Sequence, residues 1–374
     1  YIYDFLAGST KLPKSTSIDL RNNAAGKCLH QSYKRALVYT DCWVEDSRLV
    51  LLNILDAEKR GAKAFSYSKV TNVQRKNGQW LVSINSREGS FRVKAKVLIN
   101  TMGPWVNSLR LFEESKKNKS MVRLVKGSHI VVKRLFNHDS AYIFQGKDGR
   151  IIFSIPYEND FTLIGTTEVE HKEGKEVKCS DKEKKYLCGF ASNYFQKKIT
   201  VEDIVWDFSG VRALYENKTV EARNANRDYS FEIEAKEGSV LLTVYGGKIT
   251  THRKLAEKAV SKITSFLKLN RKEWTSTQHL PGGGFKLEDK EKIIGGLLKK
   301  YKFLNMRWAE RLFKTFGSEV EKVLGGAKAK PDLGRNFGHD LTEREVLWYI
   351  NQEHVRCVED LIWRRSKLGL RLTG

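Results

Sequence analysis

The stretch Thr243–Val260, TVYGGKITTHRKLAEKAV, decides the fold: a β-type run, two glycines, a lysine followed by threonines, and a helix whose apolar face is Leu255, Ala259, Ile263 and Phe266. Strand, glycine turn and helix in that order make the connection of an α/β domain, where ligands gather at strand carboxyl ends. Gly246 and Gly247 let bare backbone approach a planar or anionic group. The helix start adds unsatisfied N–H groups and a positive dipole end, and Lys248 adds a full charge. Taken alone, Gly-Gly-Lys-x-Thr is more often only a turn between strand and helix. The G-x-G-x-x-G fingerprint of dinucleotide folds is absent from the sequence, so a nucleotide site here would be half a site.

Upstream, Leu49–Arg60 reads as a helix closed by Gly61. Val70–Arg75, the Asn77-Gly78 turn, the alternating Trp80, Val82 and Ile84, and one strand from Phe91 to Ile99 read as a meander. That last strand runs into the break Asn100-Thr101-Met102-Gly103-Pro104-Trp105. Strands dominate from Val122 to about Val244, interrupted by a helix that opens on a capping box, Ser180-x-x-Glu183, and runs towards Phe195. Pro281-Gly282-Gly283-Gly284 reads as a linker. Beyond it Trp308, Leu312 and Phe316 share a helix face, and a second capping box, Thr342-x-x-Glu345, opens a helix through Tyr349 and Val355. A mixed domain is therefore followed by a helical one.

At 374 residues the chain is long for one domain, and its 40% hydrophobic and 11% aromatic content can bury a core. The formal charge of +23 favours anionic partners such as phosphorylated substrates, acidic lipid or nucleic acid, and is equally consistent with a solvated lysine-rich surface. Five cysteines, an odd number with no C-x-x-C pair, argue against a disulfide framework or a structural zinc and for a reducing setting. The sequence has no run of 18 or more apolar residues, the length a helix needs to cross a bilayer. The opening Tyr1-Ile2-Tyr3-Asp4, without methionine, leads to the expectation that sequence is missing upstream.

Three polar interruptions of apolar strands are candidate site residues. His129, in Lys126-Gly127-Ser128-His129, has the pKa range of a general base, with a satisfied structural histidine as the alternative. Arg212, in Ser209-Gly210-Val211-Arg212, and Arg227, in Asn226-Arg227-Asp228, offer forked donors for phosphate, with surface ion pairing as the alternative.

Together DCWVEDSRLVLLNILDAEKRGA (41–62), LINTMGPWVN (98–107), VRLVKGSHIVV (122–132), IIFSIPYENDFTLIGTT (151–167), DIVWDFSGVRAL (203–214), RDYSFEI (227–233) and the glycine-turn stretch resemble the FAD-dependent, quinone-linked glycerol-3-phosphate dehydrogenases. DLGRNFGHDLTEREVLWYINQEHVRCVEDLIWRR (332–365) resembles that family's helical C-terminal domain, and the likeness runs from Tyr3 to about Gly369. The resemblance implies an α/β (α+β) fold: a partial FAD-binding domain at 1–110 and 235–270, a mixed-sheet substrate domain at 111–234 and a helical domain at 281–374. The family's first βαβ unit, with its diphosphate loop, is missing from this sequence, which reads as either a fragment of a longer protein or a decayed gene product, and the activity of a chain without it is open.

What the resemblance implies chemically is oxidation of sn-glycerol 3-phosphate to dihydroxyacetone phosphate, with hydride passing to FAD and electrons to quinone. In those terms His129 matches the base, Arg212 and Arg227 the phosphate clamp, and Lys248 a lysine at substrate and flavin. Thr101, Met102, Gly103 and Pro104, with Gly246, Gly247, Lys248 and Thr250, match the flavin lining, and Val73 a backbone contact to adenine. The implied partners are glycerol 3-phosphate, quinone and the anionic cytoplasmic face of a membrane, held peripherally, with no metal and no nucleic acid. Oligomeric state is left open. Two alternatives stand beside this reading: a glycerol-3-phosphate oxidase, marked by peroxide formation, and a cofactor-free basic protein on membrane or nucleic acid, marked by steep salt dependence without flavin.

Overall fold

The computed structural model describes residues 13–111, 122–146, 149–215, 229–270 and 272–372. The chain forms two compact units, one of Tyr1–Trp43, Val73–Leu81 and Lys94–Leu267, the other of Val44–Asn72, Val82–Val93 and Lys268–Gly374. The strands, in chain order, begin with the antiparallel pair β1 (Thr16–Asp19) and β2 (Arg35–Val38), followed by the helix α1 (Asp46–Lys59). A meander of β3 (Lys69–Lys76), β4 (Gln79–Ser86) and β5 (Gly89–Ala95) comes next. Its first turn holds Asn77 and Gly78 at φ 50° and 73°, the left-handed pair that two-residue hairpins require.

After β6 (Val97–Asn100) come β7 (Val122–Lys133), β8 (Tyr142–Gln145), β9 (Ile151–Tyr157), β10 (Phe161–Gly165) and the short β11 (Val169–Glu170). The helix α2 (Asp181–Ser192), β12 (Ile204–Tyr215), β13 (Tyr229–Lys236), β14 (Ser239–Gly246) and the helix α3 (His252–Thr264) follow within the first unit, whereas α1 and most of β5 belong to the second. Strand β7 is the hinge of a six-stranded sheet, ordered β11-β7-β10-β9-β8, with β12 along its other edge. A separate sheet is ordered β13-β14-β6, with β6 and β14 parallel. Residues Ser239–Tyr245 are all buried, Ser239 and Thr243 included, as expected of a central strand covered on both faces.

The expected single strand from Phe91 to Ile99 is two strands in two sheets. The chain leaves the meander at Lys96, whose carbonyl accepts the Val240 amide at 3.1 Å, and β6 then joins β14. Alternating apolar residues continue through the crossing, so the two-residue period carries no sign of it. The capping box at Ser180 forms as read: Ser180 Oγ accepts the Glu183 amide, and Glu183 accepts the Ser180 amide. Ile130, Val132, Ile152 and Ile164 of the large sheet pack on Leu187, Cys188 and Ala191 of α2.

The second unit's core is helical. It is built by α4 (Lys290–Lys300), α5 (Met306–Phe316), α6 (Val320–Leu324) and α7 (Glu343–Gln352), around Leu297, Trp308, Leu312, Phe316 and Tyr349. Two expectations are corrected here. Thr342 precedes α7 but makes no side-chain cap bond. Glu345 instead accepts Arg311 Nη1 and Nη2 at 2.7 and 2.8 Å and the Tyr349 hydroxyl at 2.8 Å, because a buried guanidinium is a stronger partner than a helix-end amide. Pro281–Gly284 is no free linker: Gly282 O accepts the Ser318 amide at 3.0 Å, and Gly283 donates to Leu280 O at 2.9 Å. Among the described residues no helix is long and apolar enough to cross a membrane.

Candidate active site

The parallel pair β6 and β14 sets the first half of the site. Thr243 lies opposite Asn100, so Gly103 and Gly246 each fall three residues beyond that pair, at the same sheet edge. Asn100 is buried and shapes the break that follows it: its Nδ2 donates to Val106 O at 2.9 Å and its Oδ1 accepts the Met102 amide at 3.2 Å. Gly246 and Gly247 adopt φ 71° and 106°, a conformation that other residues rarely hold. Thr101, Gly247, Lys248 and Thr250 are exposed along this edge. The Lys248 carbonyl accepts the Thr251 amide at 3.1 Å, which starts a tight turn that runs into α3. Thr101, Gly103, Pro104, Gly246, Gly247, Lys248 and Thr250 are thus brought to one edge, at the carboxyl ends of parallel strands.

The second half is one face of the β7–β12 pair. Phe208 lies opposite His129, Gly210 opposite Gly127 and Arg212 opposite Val125, and directly opposed residues share a face. The His129 ring stacks on Phe208 at 5.0 Å and 7°. Gly165 is its partner on the other side, and a Cβ there would sit 2.2 Å from His129 Cδ2, so the imidazole fills space that only a glycine leaves. Arg212 is on the same face as His129, four residues along the strand, roughly 13 Å at the usual rise per residue. It is exposed, with Nη1 at 3.3 Å from Glu168 Oε1.

A small core joins the two halves. Val106, just past the first break, and Tyr245, just before the glycine turn, pack with Val122 and Leu124 of β7 and with Ala213 and Tyr215 of β12. These contacts are made by the face of β7 and β12 opposite to the one that carries His129 and Arg212; they set the glycine turn near the Arg212 end of the strand pair, and His129 lies farther along it. Val73 stands apart: it is 1% exposed, in β3. Arg227 lies outside the described residues.

Phe208 and Gly165 escaped the sequence reading, although Trp206, Phe208, Gly210 and Arg212 alternate at the two-residue period and that signal would have put them on one face. Glu183 was read only as a helix cap, yet it is 6% exposed and also takes Lys126 Nζ at 2.8 Å. Burial would raise its carboxyl, but the hydrogen bonds from Lys126, Ser180 and Ser128 outweigh that and bring it down to about 2.

With this geometry in hand, comparison with known proteins is specific. The family described as FAD dependent oxidoreductase matches residues 15–253, and the C-terminal domain of alpha-glycerophosphate oxidase matches residues 274–372. The chain is 38% identical over 380 residues to the aerobic glycerol-3-phosphate dehydrogenase of Escherichia coli, covering 100% of this chain and 75% of that protein. It is 35% identical to the D-erythritol 1-phosphate dehydrogenase of Brucella abortus, with coverage of 100% and 75%. Among solved structures, the glycerol-3-phosphate dehydrogenase from Bacillus halodurans complexed with FAD superposes with a TM-score of 0.76 at 26% identity, covering 95% of this chain and 73% of that one.

Proposed function

The chain belongs to the FAD-dependent glycerol-3-phosphate dehydrogenase family, and from that premise we propose how its own residues divide the oxidation of glycerol 3-phosphate. The observation that carries the reading is the shared face of His129 and Arg212, with the glycine edge near the Arg212 end of the same strand pair. That edge fits a flavin nucleotide. Its glycines hold positive φ, a Cβ at Gly103 would meet nothing within 4 Å, and a 13-residue helix begins just beyond. When bound, FAD supplies the acceptor for the hydride that leaves C2.

Arg212 holds the phosphate, which takes over the guanidinium from Glu168 through charge-assisted hydrogen bonds. His129 takes the proton of the C2 hydroxyl, and the ring is kept in place by Phe208 on one side and Gly165 on the other. Lys248 sets a positive charge at the edge where negative charge accumulates. Arg227 joins the phosphate clamp in this proposal, and Val73 the adenine end through its backbone. Quinone as the final electron acceptor, and peripheral attachment to the anionic cytoplasmic face of a membrane, complete it. The net charge of +23 supports the attachment.

Anaerobic titration of the FAD-loaded protein with glycerol 3-phosphate tests the reading. Bleaching of the flavin band, followed by recovery on adding a short-chain quinone, is the expected result. A band that dithionite bleaches and glycerol 3-phosphate does not would remove the substrate assignment. Faster bleaching with erythritol 1-phosphate would move it to the longer polyol phosphate named for one relative, and peroxide formation at the catalytic rate once air is admitted would replace quinone by oxygen.

A further inference from the structure

Behind the site face, on the other side of β7, a buried carboxylate gathers more hydrogen bonds than a helix cap needs. Glu183 Oε2 accepts Lys126 Nζ at 2.8 Å, the Ser180 amide at 2.9 Å and Ser180 Oγ at 2.6 Å. Its Oε1 accepts Ser128 Oγ at 2.7 Å and Thr167 Oγ1 at 2.8 Å. Capping alone would need only Ser180. The remaining three donors come from β7 on either side of Gly127 and from the segment that leaves β10.

That network is cross-braced. Ser128 donates its amide to Thr167 Oγ1 at 3.0 Å and accepts the Thr167 amide at 3.2 Å. Ser128 Oγ lies 2.8 Å from Ser209 Oγ on β12. The next residue of α2, Lys184, pairs with Asp207 Oδ2 at 2.8 Å, one residue before Phe208. Two consecutive residues in the first turn of α2 thus fasten, from behind, the three strand segments whose front carries His129, Gly165 and Phe208.

We propose that Glu183 is a positioning residue: through Ser128 and Thr167 it fixes the offset of β7 against β10 and β12, and so the seat of the His129 ring, a role whose catalytic part rests on the reading of His129 as the base. One peptide separates the Ser128 anchor from His129. A buried carboxylate with five donors has little freedom to relax, so removing its charge shifts the strand it holds.

The test uses the full chain labelled with ¹³C at histidine Cε1. The ring of Phe208 stacked on His129 makes that histidine's resonance a reporter of ring position, and His129→Asn identifies it among the eight histidines. Glu183→Gln and the gentler Ser128→Ala are expected to move the His129 resonance while leaving distant histidines such as His279 in place. They are also expected to slow flavin reduction at least tenfold and severalfold respectively, per bound flavin, with no added loss in the His129→Asn background. A His129 resonance that stays put in both folded variants overturns the proposal, as does a rate loss that multiplies with that of His129→Asn. If Glu183→Gln fails to fold, Ser128→Ala alone decides. Wild-type flavin reduction by His129→Asn would instead sink the base assignment, and the resonance result would still report on positioning.

Discussion

At the scale of single residues, the exposed arginine is the most informative. Arg212 is held by Glu168 across 3.3 Å, both side chains facing solvent. A pair of that kind is worth about 0.2–1 kcal/mol, whereas a phosphate dianion offers two charge-assisted bonds. Arg212→Ala is therefore expected to lower kcat/KM for glycerol 3-phosphate by about 2–3 kcal/mol. Glu168→Gln, by removing the competitor, is expected to lower KM by about twofold to fivefold with kcat unchanged. Steady-state kinetics of both variants check the pair, and an unchanged kcat/KM in Arg212→Ala removes that residue from the site. Both His129 and Arg212 were legible as polar interruptions of apolar strands. What could not be read was their common face, because register across β7 and β12 is a long-range property that no local period carries.

At the scale of elements, helix α2 shows how a correct local reading understates a structural role. Ser180 and Glu183 announce a helix start, and the helix starts there. Nothing in the spacing says that the same carboxylate is buried under β7, since Lys126, Ser128 and Thr167 are distant in sequence. The consequence is a definite acid sensitivity. The Glu183 carboxyl falls from 4.5 to about 2 on folding. Its stabilisation is therefore complete above the unfolded value and is lost as pH drops through the folded one, about 3 kcal/mol in all. The thermal midpoint of wild-type protein should exceed that of Glu183→Gln at pH 7, and the gap should close between pH 4.5 and 2. A gap independent of pH would show that the variant's loss is one of packing. The meander and α7 make the complementary point. The crossing at Lys96 and the diversion of Glu345 to Arg311 both arise from partners remote in sequence, and both escaped a reading made of windows.

At the scale of the whole molecule, the order of mixed sheet and then helices was legible because long periodic segments and glycine punctuation are local signals. The first unit also contains β1 and β2, whose four-residue strands are too short to show a period. Charge is the other property of the whole chain. If the +23 excess serves attachment to anionic lipid, the protein should sediment with phosphatidylglycerol vesicles at low ionic strength, where the screening length is ~30 Å, and should be released at high salt. Failure to sediment at low salt would discard peripheral attachment.

If His129 and Arg212 hold the substrate as proposed, the four residue steps that separate them, Phe208 to Arg212 along β12, act as a gauge. They measure how far the carbinol carbon stands from the phosphorus, and they take no account of what the substrate carries beyond that carbon. A polyol phosphate lengthened at its free end keeps that distance and passes the gauge, while one lengthened between phosphate and carbinol does not. Selectivity within such a family is then set by walls beyond the histidine, and a shift from three-carbon to four-carbon esters leaves the arginine, the histidine and their spacing untouched.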